Sequence, residues 1–209
     1  MKLFIVLCAL AYAGFAGASG LQSLEVFVRT VKSGRADFVQ VVTAPAKEAD
    51  APRSKTSSGS FEFSRPNRFK FAYRKPFEQS IVADGQTLWL YDVDLNQVTA
   101  RKQSQVLAST PAALIASAPD LRALQAAFAL TDAPTRDGID WVLATPNGKD
   151  SALQSIRVGL RGAELVVLEI LDSFGQHSVL TFSHFEINPV LSGKAFEFNA
   201  PPGADVIRQ

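Results

Sequence analysis

Apolar and polar residues alternate along most of this chain, and the period of the alternation changes only a few times. Near the start, Leu24, Val28 and Val31 recur at helical spacing with Phe27 beside them, and Gly34 ends the pattern. This predicts a helix over about 21–33. From Arg35 the period becomes two. "ADFVQVV" (36–42) predicts a strand, and the polar "TAPAKEADAPRSKTSS" (43–58), with two prolines, a long flexible loop. "GSFEFSR" (59–65), "NRFKFAYR" (67–74) and "EQSIVA" (78–83) alternate as strands, Asp84-Gly85 marks a hairpin, and "QTLWLYD" and "NQVTAR" continue the sheet. The alternation breaks at 103–128. There Thr110-Pro111 offers an N-cap and a proline at the first helical position ahead of "AALIASA", and Asp120 caps a second helix, "LRALQAAF". Strands resume with "DWVLATP", "LQSIRVGL", "ELVVLEIL" and "HSVLTFSHFEI", and "FEFNAPPGADV" closes the chain with a short strand and a Pro-Pro-Gly turn. About ten short antiparallel strands, an N-terminal helix and a central pair of short helices predict a mainly β (α+β) fold. Its large twisted sheet curls toward a barrel, with helices over one face or opening.

The stretch "SRPNRFKFAYRKP" (64–76) interleaves five basic residues with three aromatics. Such interleaving suits a nucleic-acid surface, but it also suits a strand with one apolar and one wet face. Pleat counting puts Phe69, Phe71 and Tyr73 on one face and Lys70 and Arg74 on the other. Phe61 and Phe63 share a face of the preceding strand, and counting on by twos reaches Arg65. Either Arg65 stands on the aromatic face and needs acceptors there, or it already lies in the turn set by Pro66 and points to water. The aromatic face itself reads as ordinary barrel core, or as a concavity larger than its side chains fill and therefore open to an apolar ligand.

The first residues decide the compartment. Lys2, an apolar run from Leu3 to about Phe15 and Ala16-Gly17-Ala18 form the three regions of a secretory signal peptide, here residues 1–18, which leaves residues 19–209 as one domain. The single cysteine, Cys8, leaves with the leader, so the exported chain is cysteine-free, as a periplasmic protein with a sizeable core can be. The formal net charge of +1 falls to zero without Lys2, which argues against nucleic-acid binding. No catalytic or metal constellation stands out and no cofactor is implied. His177 and His184 are seven apart, on opposite faces of a regular strand, and Asp92 and Asp94 border a turn.

"RPNRFKF", "SIVADGQTLWLYD", "QVTA", "TPAALIA" and "FEFNAPPG", in that order, resemble the LolA family of periplasmic outer-membrane lipoprotein carriers, and the similarity runs from about residue 20 to the end. The resemblance implies an unclosed antiparallel β-barrel with a helical lid over a hydrophobic cavity. It implies no enzymatic activity. It also implies a carrier that accepts triacylated lipoproteins from an inner-membrane ABC transporter and hands them to an outer-membrane receptor, most simply as a monomer. On this likeness Arg65 latches the lid. Phe61, Phe63, Phe69, Phe71 and Tyr73 contact acyl chains, and Val28, Leu114 and Ile115 form the lid's underside. A lipid- or lipoprotein-sensing periplasmic domain is the alternative with the same pocket.

Overall fold

The computed structural model describes residues 19–45, 53–106, 118–148 and 151–209. An N-terminal helix, α1 (Gly20–Thr30), leads into six strands: β1 (Ser33–Thr43), β2 (Ser54–Ser64), β3 (Arg68–Lys75), β4 (Gln79–Ala83), β5 (Thr87–Asp92) and β6 (Gln97–Lys102). Two short helices, α2 (Gln103–Val106) and α3 (Leu121–Ala127), come next. They are followed by β7 (Phe128–Arg136), β8 (Ile139–Pro146), β9 (Leu153–Arg161), β10 (Glu164–Asp172), β11 (His177–Ile187) and β12 (Asp205–Arg208). The strands form one sheet in the order β12-β6-β5-β4-β3-β2-β1-β11-β10-β9-β8-β7. β7 and β12 are its two edges and do not pair with each other, so the sheet curls without closing. Every described strand pairing is antiparallel except β12 on β6, which is parallel, a departure from the all-antiparallel expectation.

Helix α1 packs on the inner face against β7, β8 and β9. Ser19 caps it, its Oγ accepting from the Gln22 N–H at 3.2 Å. Two carboxylates of the sheet hold its first turn: Leu21 N–H donates to Asp132 Oδ1 at 2.7 Å, and Ser23 Oγ donates to Asp140 Oδ2 at 2.7 Å. A Cβ on Gly20 would stand 2.0 Å from the Trp141 carbonyl oxygen, so the helix starts as close to β8 as backbone allows. Leu24, Phe27 and Val28 then enter a core shared with Phe38, Phe61, Phe63, Val142, Ile156, Leu160 and Leu180.

The expected elements differ from the observed ones where distant partners decide. The helix ends at Thr30 rather than 33, and Gly34 lies inside β1, where a Cβ would meet the Phe63 ring at 2.3 Å; ring packing explains that glycine better than a helix stop does. Thr43 and Ser54–Ser58 of the expected 43–58 loop are strand, because β1 and β2 stay paired to Thr43 and Ser54, whose hydroxyls lie 2.9 Å apart, while 46–52 lie outside the described residues. Neighbouring strands impose extension on a run of serines and threonines whose own preference is weak. Phe128 does not end a helix but begins β7, an edge strand that also tolerates Pro134. The last strand follows the Pro-Pro-Gly turn rather than preceding it, while Gly193–Phe196 forms a 3-10 turn. From there Phe198 reaches across the outer face to stack on Trp89 at 5.3 Å.

A bulge in β11 corrects the reading of the histidines. Arg35 pairs with Glu186 and Asp37 with Ser183, so two residues of β11 oppose one of β1, and His184 takes a φ of 53°. The extra residue turns Phe185 toward the inner rings and leaves both His177 and His184 exposed on the outside. His184 lies beside Asp37 at 3.3 Å.

Candidate functional site

The aromatic inner face is assembled by strand register. β2 and β3 pair Phe61 with Phe71 and Phe63 with Phe69, so two alternating pairs become a block of four rings. Phe61 stacks on Phe71 at 4.4 Å with the ring planes 28° apart. Three further rings come from strands remote in sequence: Phe38 of β1 lies 5.6 Å from Phe71, Phe182 of β11 lies 5.7 Å from Phe61, and Phe185 lies 6.5 Å from Phe63. Helix α1 seats Phe27 at 6.2 Å from Phe63, with Val28 completely buried nearby. The four strand phenylalanines are 0–8% exposed. Among the described residues, α1 and these rings pack against one another across the inner face.

Tyr73 stands at the end of this row, where the face turns polar. Its phenol donates to Gln40 Oε1 at 2.9 Å, and Gln40 Nε2 donates to Ser178 Oγ at 2.8 Å. Burial pushes the phenol up to about 12. Beyond it opens a pocket of about 650 Å³ whose lining includes Val42, Lys55, Tyr73, Phe77 and Leu95. Phe77, 57% exposed, and Leu95, 71% exposed, form an apolar rim on the β3–β4 and β5–β6 turns. Asp92 serves the second turn as a cap, its Oδ1 accepting from the Leu95 N–H at 3.0 Å, which agrees with a structural rather than catalytic carboxylate.

Arg65 stands on the aromatic face and not toward water. Pairing persists one residue beyond β2, since Arg65 N–H donates to the Lys32 carbonyl at 2.8 Å, and the pleat holds to that point. The guanidinium lies 5.0 Å from the Phe27 ring and 5.3 Å from the Phe63 ring. Nε donates to the Val31 carbonyl at 2.8 Å and Nη1 to the Ala118 carbonyl at 3.1 Å. One side chain therefore ties the C-terminal end of α1, where helix carbonyls are richest in negative charge, to the segment that enters α3. Nη2 is buried without a hydrogen-bond partner among the described residues. Burial lowers the guanidinium from its usual range to about 10, which leaves it charged at neutral pH.

The wet face is as pleat counting places it. Lys70 and Arg74 line an outer groove together with Arg35, Asp37, Glu62 and Glu186. Arg35 Nε meets Glu62 Oε1 at 2.8 Å, and Arg74 lies 3.7 Å from Asp37. Arg68 stacks over Phe196 at 5.7 Å. The structure thus brings together Val28, Phe61, Phe63, Arg65, Phe69, Phe71 and Tyr73; Leu114 and Ile115 lie outside the described residues. Sequence reasoning missed Phe38, Phe182, Phe185, Gln40 and Ser178 as members of the same face. Alternation within β1 and β11 marks Phe38 and Phe182 as inward, but only the bulge turns Phe185 inward.

Comparison with known proteins agrees with this geometry. The family model described as "Outer membrane lipoprotein carrier protein LolA" matches residues 29–199. An outer-membrane lipoprotein carrier protein of Albidiferax ferrireducens is 72% identical, the match covering 100% of each chain. One of Leptothrix cholodnii is 49% identical over 98% of this chain and 93% of its own. Among solved structures, a DUF1329 family protein from Desulfovibrio piger superposes with a TM-score of 0.50 at 14% identity, over 85% of this chain and 95% of its own; that likeness bears on the fold alone.

Proposed function

Since this chain belongs to the LolA family of outer membrane lipoprotein carrier proteins, we propose that it ferries triacylated lipoproteins through the periplasm. It takes them from an inner-membrane ABC transporter, shields their acyl chains on the inner aromatic face, and hands them to an outer-membrane receptor. The observation that supports this reading most directly is Arg65, a half-buried charged side chain packed against Phe27 and Phe63 and bridging α1 to the approach of α3. For packing alone a guanidinium there contributes little, because desolvation of the charge offsets most of what its contacts supply.

The physical problem suits such a device. Each acyl methylene exposed to water costs about 0.8 kcal/mol, so several chains together do not leave a membrane for water at a useful rate. A carrier must supply an apolar surface, yet hold its cargo loosely enough to release it without a nucleotide. An inner face that is filled when empty achieves this: cargo must displace α1 and the Arg65 bonds, and the cost of that displacement is subtracted from its affinity.

The test is the cargo. The protein purified from an envelope extract should carry acylated protein, detected by intact mass with the acyl groups attached. Phospholipid alone would point instead to a lipid-sensing domain, and turnover of added lipid to an enzyme; either result overturns the carrier reading.

A further inference from the structure

On the outer face, where β5, β6 and β12 run beside the Gly85-Gln86 turn, lies a groove of about 590 Å³. Trp89 and Ala100 form its apolar part, and Lys102 and Arg208 its charged part, with Arg101 at its border on the strand position opposite Leu88; no carboxylate side chain lines it among the described residues. The two other grooves are balanced by contrast. The outer groove near β1 sets Arg35, Lys70 and Arg74 against Asp37, Glu62 and Glu186, and the mouth pocket sets Arg53 and Lys55 against Asp92 and Asp94. Arg101 donates to Gln209 Oε1 at 2.8 Å, while Lys102 and Arg208 make no ion pair among the described residues. The carboxylate beside the groove, Asp84, is engaged by Gln86, Thr87 and the Trp89 indole, so Lys102 and Arg208 remain available to an anionic partner.

The backbone beside the groove supplies a second observation. Among the described strands β12 is an edge, with β6 as its one neighbour. Asp205 N–H donates to the Asn96 carbonyl and Gln209 N–H to the Ala100 carbonyl, each at 3.0 Å. These donors are four positions apart, so the alternation of a strand turns the intervening Val206 and Arg208 amides away from β6.

We propose that this groove and the β12 edge together dock an acidic, extended segment of a partner protein. The segment pairs with β12 through its backbone and sets carboxylates against Lys102 and Arg208. Strand addition supplies affinity, and the cations supply choice of partner and speed of encounter. A bilayer surface fits less well: the cations border a concavity, and the alternating edge amides and carbonyls match an extended backbone. The docking surface is separate from the inner aromatic face and does not depend on what that face holds.

The experiment titrates the purified protein with a capped decapeptide of alternating glutamate and threonine. Controls are the lysine–threonine counterpart, the glutamate peptide N-methylated at alternate amides, and vesicles containing phosphatidylglycerol. The glutamate peptide should bind, lose affinity as salt rises, and slow hydrogen exchange at Val206 and Arg208. Lys102→Glu with Arg208→Glu, and the milder glutamine pair, should weaken binding about tenfold or more while leaving the melting temperature unchanged, since both side chains are exposed. N-methylation should weaken it similarly. The proposal is overturned if the glutamate peptide does not bind, if the lysine peptide binds as well, if the charge variants bind normally, or if only vesicles bind.

Discussion

Replacing Arg65 by leucine separates the proposed latch from ordinary core packing. The variant loses two hydrogen bonds from a charged donor, to Val31 O and Ala118 O, each contributing about 1.5–3 kcal/mol. Against that stands the cost of holding the guanidinium charged in a buried place. Lowering it from 12.5 to about 10 corresponds to roughly 3 kcal/mol. The net contribution of the latch to the closed state is therefore small, between about 0 and 3 kcal/mol, with a middle value near the ~1.4 kcal/mol that makes a factor of ten. Leucine also keeps apolar contact with Phe27 and Phe63. Global stability should thus change by no more than about 3 kcal/mol in a urea melt, whereas closure over the inner face becomes about tenfold easier to displace. If closure opposes cargo, Arg65→Leu should retain a purified lipoprotein about tenfold more tightly and pass it to receptor correspondingly more slowly. Arg65→Lys, which keeps charge but cannot fork to both carbonyls, should fall between. Handover by Arg65→Leu at the wild-type rate would falsify the latch.

Two further outcomes follow from the same geometry. Phe61→Ala opens a cavity among Phe63, Phe71 and Phe182 and should cost about 3–5 kcal/mol of unfolding free energy, whereas Phe77→Ala at the exposed rim should cost under about 0.5 kcal/mol; equal effects would mean that the inner face is not packed as described. Tyr73 should ionise near 12, seen as tyrosinate absorbance missing from wild type minus Tyr73→Phe difference spectra at pH 11. Its folded value is raised above the usual 10, so the native state holds the proton longer. Its contribution to stability is complete below about pH 10 and is lost as pH rises through about 12. Full ionisation of Tyr73 by pH 11 would contradict its burial.

Much of the architecture was legible because alternation is a local property. Period two in "NRFKFAYR", "EQSIVA" and "QTLWLYD" located β3, β4 and β5 to within a residue or two, and the Asp120 cap located α3. The same counting sorted Phe69 and Phe71 from Lys70 and Arg74, because opposite faces of a strand are fixed by backbone geometry whatever packs on them. What alternation cannot carry is the identity of neighbours. β7 was missed because "FALTDAPTR" has weak strand character and becomes a strand by pairing with β8.

By itself, then, the sequence determined which side chains share a face and the mostly β composition, and it singled out Arg65 as the one cation whose face was in question. Only the tertiary structure decided that Phe61 lies opposite Phe71, and that Phe38 and Phe182 complete the surface. It alone showed the β11 bulge that turns Phe185 inward and His184 outward. Arg65 shows the boundary most clearly. Pleat counting left its direction open, and the Lys32 carbonyl closed the question by prolonging the strand one residue, delivering the guanidinium to Val31 and Ala118. Register, bulges and buried acceptors depend on contacts between residues far apart in the chain, and no local period encodes these.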